Sequence, residues 1–340
     1  MKCRVCRGPA VIDVRRHNAN FCAEHFVKLC RDQTAKAIHE FAMLRPGERV
    51  LVAVSGGKDS LALWDLLIDL GYQVDGLYLG LGIGDYSDES GQYARRYARE
   101  RGLTLHEVDL RAEHGFEVPT AAAATRRVPC SACGISKRHL FDDAARRGGY
   151  DALATGHNLD DEAAVLFGNV LRWEVDYLRR QAPILPAGNG FPRKIKPLVR
   201  LGERETAAYC LLRNIDYQVE ECPMAVGNRH LGFKEVLATL EDASPGTKTA
   251  FYFGFLDRVV ERLGTGHGAG GADDDPGRDA LGACANCGAP TPGDICGFCR
   301  LARVASREEP VAISPKPRRA KPAKAAKDAK PDKSAAEVPG

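Results

Sequence analysis

The sequence predicts an α/β fold, a parallel sheet flanked by helices, with small cysteine-built modules at both ends. Three observations predict it. Short apolar strands alternate with helical patterns from Arg49 to the helix opening at Asp160, as parallel sheets require. One of those strands runs straight into Ser55-Gly56-Gly57-Lys58-Asp59-Ser60, a glycine turn that opens a helix. Cysteines gather at Cys-x-x-Cys spacing near both termini.

A chain of 340 residues can hold one large core plus small modules. The apolar fraction of 44% and charged fraction of 27% are those of a soluble enzyme. Met1-Lys2-Cys3 starts a cysteine motif, not a signal peptide, and the richest apolar helix, Leu61 to Leu70, carries Asp65 and Asp69. The expected location is the cytoplasm, with no membrane partner. Twelve cysteines in a large cytosolic chain then point to metal, not disulfides. The net charge is +3, but nine basic and five acidic residues fall in 307–340, leaving residues 1–306 at −1. An RNA-binding surface on the body must come from uneven charge.

Residues 1–30 read as an N-terminal zinc finger. Cys3-x2-Cys6 and Cys22-x2-His25 have the spacing that closes a tetrahedral site, and so short a segment needs the metal to fold. A helix is expected over Asp32–Leu44, stopped by Pro46-Gly47. Residues 31–263 form the catalytic domain. Its strands are expected at Arg49–Val54, Gln73–Leu79, Thr104–Leu110 and Asp151–Thr155. Helices are expected at Asp59–Leu70, Asp88–Arg101, near Pro129, from Asp160, and over Phe251–Leu263. Residues 264–282 read as a flexible linker, 283–302 as a zinc ribbon and 303–340 as a disordered basic tail. The ribbon rests on Cys284-x2-Cys287-x8-Cys296-x2-Cys299.

The turn after the first strand aims backbone N–H groups and a helix N-terminus at phosphate. It is not a Walker loop, because Asp59 separates Lys58 from Ser60. In parallel sheets ligands bind at the carboxyl ends of strands, where strand order reverses. That gathers Ala53 to Ser60, Leu79-Gly80 and Thr155-Gly156-His157 around one nucleotide. In Gly156-His157-Asn158-Leu159-Asp160-Asp161-Glu162, a strand-end glycine precedes acids at a helix start, which suits Mg²⁺ near phosphates. Asp161 is the expected ligand or positioning acid; His157 packs or caps.

Pro129-Cys130-Ser131-Ala132-Cys133 opens another helix, and Cys222 stands in Glu220-Glu221-Cys222-Pro223. A third zinc site, a redox dithiol and an iron–sulfur cluster are all open to these thiols. Three thiolates on a 4Fe–4S cluster would leave one iron open.

SGGKDS after an apolar strand resembles the PP-loop of ATP pyrophosphatases, a HUP-type, Rossmann-like fold. Together with PCSACGISKR, GHNLDDEA, ECP and the paired terminal modules, it resembles the TtuA-type tRNA 2-thiouridine synthetases over roughly residues 1–300. The resemblance implies ATP-dependent adenylation of uracil O2 on tRNA, followed by sulfur transfer. It implies an ATP site at Ala53, Ser55, Gly56, Gly57, Asp59, Ser60, Leu79, Lys137, Gly156 and Asp161. It implies cluster ligands Cys130, Cys133 and Cys222, with Asp59, Lys137, Asp161, Cys130 and Cys222 as catalytic groups. ATP, Mg²⁺, a 4Fe–4S cluster and two Zn²⁺ are the implied cofactors. A ubiquitin-like carrier ending in a thiocarboxylate is the implied sulfur source, and the family admits a homodimer. Uridine 54 and wobble uridine 34 both remain open as targets. The alternatives are another PP-loop tRNA enzyme, making 2-thiocytidine or lysidine, and a zinc-based nucleic-acid-binding regulator.

Overall fold

The computed structural model describes residues 1–225, 229–263 and 281–307. Strands β1 (Ile12–Val14) and β2 (Ala19–Phe21) pair antiparallel ahead of helix α1 (Ala23–Glu40). The central run is β3 (Arg49–Val54), α2 (Lys58–Asp69), β4 (Gln73–Gly80), α3 (Gly84–Arg101) and β5 (Leu105–Asp109). Helices α4 (Leu110–His114), α5 (Val118–Thr125) and α6 (Pro129–Arg147) lead to β6 (Ala152–Thr155), α7 (Leu159–Arg172) and α8 (Val175–Arg179). Strands β7 (Ile184–Leu185) and β8 (Arg193–Ile195) precede α9 (Glu203–Leu212), α10 (Arg229–Ala243) and α11 (Thr247–Arg258). Strands β9 (Gly282–Ala283) and β10 (Pro290–Thr291) and helix α12 (Gly297–Ala305) make the C-terminal module. No helix among the described residues is long and apolar enough to cross a membrane.

Six strands form the main sheet in the order β5-β4-β3-β6-β8-β7. All pairings are parallel except β7 on β8, which runs antiparallel at the edge. The chain leaves β3 for β4 and β5 on one side, then returns to place β6 on the other. The reversal therefore lies between the carboxyl ends of β3 and β6, where such sheets open a crevice.

Burial explains the arrangement. Val50, Leu51 and Val52 of β3 are fully buried, and α2 is apolar nearly all round, from Leu61 to Leu67. A helix of that kind must be covered on several sides. It packs on β3 and β4 with α1 and α9 outside it. Gly76 of β4 makes room for Trp64, since a Cβ there would stand 2.5 Å from the indole. The buried Asp65 on α2 is satisfied by Tyr97 Oη at 2.9 Å, Tyr209 Oη at 2.6 Å and Arg213 Nε at 2.9 Å.

Several expectations change. Helix α1 starts at Ala23, with Cys22 at its N-cap, so it crosses the expected boundary at residue 30. The thiolate–imidazole pair is thus built onto the first turn of a helix that belongs to the main core. Helix α3 begins at Gly84, not Asp88, and α12 runs to Ala305, three residues past the expected end of the ribbon. The helix expected over 251–263 begins at Thr247 and ends at Arg258. The expected linker over 264–282 and tail over 303–340 lie mostly outside the described residues.

The N-terminal module is fastened to α9. Arg16 donates to both carboxylate oxygens of Glu205 at 2.7 Å and to the Arg200 carbonyl at 2.7 Å. Both side chains of this pair are close to nine-tenths buried. Breaking a buried pair from one side leaves an uncompensated charge, so Arg16→Ala should destabilise the protein by about 3–5 kcal/mol. Urea unfolding of the variant beside the wild type measures it.

Candidate active site and metal clusters

The SGGKDS turn sits at the sheet reversal, and its shape follows from its glycines and Ser60. Gly56 has φ +76°, and a Cβ there would lie 2.2 Å from the Ser90 carbonyl oxygen. Only glycine fits both conditions. Ser60 is buried; its hydroxyl donates to the Gly57 carbonyl at 2.9 Å and accepts from the Ser55 N–H at 3.1 Å. Ser60 therefore shapes the loop. Gly156, after β6, comes so close that a Cβ would stand 2.9 Å from Asp59 C and Ser60 N. Ala53 and the buried Leu79 close the strand ends behind the loop.

Three helix N-termini meet here. Asp59, in the first turn of α2, accepts from Asn158 Nδ2 of the α7 cap at 3.0 Å and from Thr206 Oγ1 of α9 at 2.5 Å. Asp160 of α7 accepts the Glu203 N–H of α9 at 2.8 Å. Aligned peptide dipoles make such a junction attractive to anions.

The run Asp160-Asp161-Glu162 divides its work. Asp160 is buried and also takes Lys248 of α11. Glu162 is buried and accepts from Lys196 at 2.8 Å, Gln181 at 3.2 Å and Tyr252 at 3.2 Å. Asp161 alone stays partly open, completing the α7 capping box with the Asn158 N–H at 3.0 Å and pairing with Lys234 at 2.5 Å. His157, exposed, meets Thr155 Oγ1 through Nδ1 at 2.8 Å.

Cys130 and Cys133 occupy the first turn of α6, where Pro129 supplies a preset start. Cys130 Sγ lies 3.9 Å from the Met224 carbonyl, in the turn that follows Cys222. Burial raises the pKa of the Cys222 thiol; the Met224 backbone opposes this, Cys133 adds to it, Lys137 opposes and Cys130 adds. These three thiols and Lys137 therefore share one small region. Lys137 is half-buried, makes no ion pair among the described residues, and also acts on His157. Lys137 is thus close enough to both Cys222 and His157 to act on each electrostatically.

The terminal clusters have a tighter geometry. All donor atoms of Cys3, Cys6, Cys22 and His25 lie within 4.8 Å of one another, as do those of Cys284, Cys287, Cys296 and Cys299. Cys6 and Cys22 sulfurs are 3.8 Å apart, and Cys287 and Cys296 sulfurs 3.7 Å. Four thiolates around one tetrahedral ion at a 2.3 Å bond length stand about 3.8 Å apart. Among the described residues no other group of three or more metal-binding side chains converges so closely. Cys130, Cys133 and Cys222 are not among the groups that converge this closely. The C-terminal cluster also packs beside them: Phe298 of α12 stacks on His139 of α6 with centroids 4.2 Å apart.

Residues 2–27 match the family model described as 2-thiouridine synthetase TtuA, N-terminal LIM domain. The tRNA-5-methyluridine(54) 2-sulfurtransferase of Thermus thermophilus is 48% identical over 301 residues, covering 88% of this chain and 91% of that protein. The chain belongs to the TtuA/NcsA-type tRNA 2-thiolation family. The protein of the same name from Pyrococcus horikoshii is 39% identical over 301 residues, 88% of this chain and 93% of its own. The solved structure of a U34-tRNA thiolase, NcsA of Methanococcus maripaludis with its 4Fe–4S cluster, aligns with TM-score 0.72 at 25% identity. That alignment covers 89% of this chain and 96% of that one.

For a member of the tRNA 2-thiolation family, the site holds four polar groups that the sequence did not single out. Lys58 pairs with Asp59 at 3.1 Å and Glu203 at 2.9 Å. Burial opposes its charge, but Asp59 and Glu203 outweigh it and its pKa is raised. Thr206 holds Asp59, and Lys234 joins Asp161 to Glu203 at 2.5 and 3.2 Å. Lys58 stands inside the motif and was findable there. Glu205 accepts the Gly202 N–H at 2.9 Å, the half of a capping box that a glycine N-cap allows, and so marks the start of α9. No local pattern marks Lys234.

Proposed function

We propose that this tRNA sulfurtransferase converts uridine 54, or its 5-methyl form, to the 2-thio nucleoside at the expense of ATP. The observation that carries the reading is a phosphate-gripping turn at the sheet reversal, in a chain whose three remaining thiols, Cys130, Cys133 and Cys222, are partly open and interact with one another. The names of the relatives at 48% and 39% identity favour position 54.

The turn Ser55–Ser60 and the N-terminus of α2 would hold the ATP phosphates, and Asp59 and Asp161 would hold Mg²⁺. Uracil O2 attacks the α-phosphorus and pyrophosphate leaves. Hydrosulfide then adds to C2, the C2–O bond breaks, and AMP carries the oxygen away with release of a proton. Lys137, which makes no ion pair among the described residues, offsets the negative charge that builds on phosphate and base. Cys130, Cys133 and Cys222 would hold a 4Fe–4S cluster, which with three thiolate ligands would supply one open iron as a binding position for sulfide. Cys3, Cys6, Cys22, His25 and the four C-terminal cysteines each hold a structural Zn²⁺. A ubiquitin-like thiocarboxylate protein delivers the sulfur. Cysteines given to metal and cluster, with no disulfide among the described residues, suit a reducing compartment, and we place the protein in the cytoplasm.

The test is an anaerobic reaction of the full chain with unmodified tRNA, ATP, Mg²⁺ and sulfide, followed by nuclease digestion and mass spectrometry. The expected product is 2-thiouridine in the fragment holding position 54, with AMP formed. Sulfur in the anticodon fragment would move the target to uridine 34. Sulfur on cytidine would favour the 2-thiocytidine alternative. Absence of AMP would reject the adenylation chemistry.

A further inference from the structure

Lys234 is the least expected side chain in the cleft. It comes from α10, beyond the cysteine segment, and it points inward because of how that helix packs. Leu237 of α10 is buried with Ala163 and Ala164 of α7. Phe233 lies over Gly168, where a Cβ would stand 2.7 Å from its ring. Three small residues on α7 thus let α10 approach closely. Lys234, one position from Phe233, is thereby carried to the α7 N-terminus.

There its ammonium group sits between two carboxylates, 2.5 Å from Asp161 and 3.2 Å from Glu203. Glu203 is shared, since Lys58 also reaches it at 2.9 Å. The result is one alternating line, Asp59–Lys58–Glu203–Lys234–Asp161, across the N-termini of α2, α9 and α7. Burial opposes the charge on Lys234, but Asp161 and then Glu203 outweigh it and its pKa is raised. The three carboxylates and two ammonium groups sum to −1, which offsets the pull of the three helix N-termini on a bare polyanion. A nucleotide arriving with a divalent cation changes the partners: the cation competes for the carboxylates and the phosphates compete for the ammonium groups.

We infer that Lys234 is a nucleotide-phosphate ligand, held on Asp161 and Glu203 until ATP arrives and then transferred to the phosphate chain. The inference rests on the ATP reading given above. It adds a residue from outside every sequence motif to the phosphate site. It also connects α10, which follows Cys222 closely in the chain, to the state of the nucleotide.

Calorimetric titration of the anaerobically purified full chain with Mg·ATP, and separately with adenosine, tests it. A charge-assisted hydrogen bond is worth about 1.5–3 kcal/mol, so Lys234→Gln should weaken Mg·ATP by about 10- to 100-fold. Adenosine binding should stay as in the wild type, and Lys234→Arg should recover most of the ATP affinity. The double variant Lys234→Gln/Glu203→Gln removes one charge of each sign, keeps the line at −1 and leaves Lys58 on Asp59, and it should bind ATP as weakly as the single variant. Equal Mg·ATP affinity in wild type and in either Gln variant would overturn the inference. Equal losses for ATP and adenosine would do so too, by showing a merely structural role. A wild-type chain that binds no ATP would instead overturn the ATP reading itself, and this inference with it.

Discussion

Cys222→Ala should yield a folded protein that retains both terminal metal ions and has lost its sulfur chemistry. Cys222 lies outside the two terminal clusters, so zinc content should stay at two equivalents. It is only half-buried, so the change leaves no large cavity. Anaerobically reconstituted wild type should carry the visible absorbance of an iron–sulfur cluster; the variant should lack it. Thiolation should fall by on the order of 10³-fold or more, the scale felt when a principal catalytic group is removed. AMP formation in the absence of sulfide should survive, because the phosphate turn is untouched. Cys210→Ala is the matching control. Cys210 is fully buried and its thiol reaches the Lys58 carbonyl at 3.4 Å, so that variant should keep its colour. A colourless wild type with full activity would refute the cluster assignment.

Gly56→Ala should damage both stability and ATP binding. The residue has φ +76°, and an added methyl would meet the Ser90 carbonyl oxygen at 2.2 Å, a backbone atom of α3. The left-handed backbone costs about 1–2 kcal/mol for alanine, and overpacking adds about 1–3 kcal/mol. A total of roughly 2–5 kcal/mol is therefore expected from chemical unfolding. The clash cannot be relieved by a side-chain rotation, so the loop must shift. The Gly56 carbonyl also accepts the Gln218 N–H at 2.9 Å, so the shift should spread toward the segment that ends in Cys222. Gly57→Ala is the informative comparison. Its Cβ would meet only Ser55 Oγ at an ordinary 3.6 Å, and the effect on stability should be small. Comparable losses in the two variants would argue against steric shaping of the turn by Gly56.

Much of the site was legible because its chemistry is contiguous in the chain. Residues 55–60 bring glycines, an acid and a helix start within one turn, and no long-range contact is needed to read them. The Cys-x-x-Cys pairs are legible for the same reason: two residues between thiols set a ligand bite. Strand β3 was placed at Arg49–Val54 because an unbroken apolar run between charged and glycine-rich neighbours leaves little choice. Other parts gave no such signal. Helix α5 is largely alanine and lacks amphipathic contrast, while α10 buries only Leu237. Strands β7 and β8, of two and three residues, are too short to display alternation.

The sequence by itself determined which kinds of donor this protein owns and where its tight turns fall. Peptide geometry fixes neighbours in the chain whatever the rest of the molecule does. Only the tertiary structure decided which remote charges meet. Asp160 and Glu162 were drawn into buried pairs with Lys248 and Lys196, which left Asp161 facing the cleft. Lys234 was brought to Asp161 by small residues on α7 that admit α10. Those pairings depend on packing between elements tens of residues apart, where burial makes an unpaired charge too costly to leave alone.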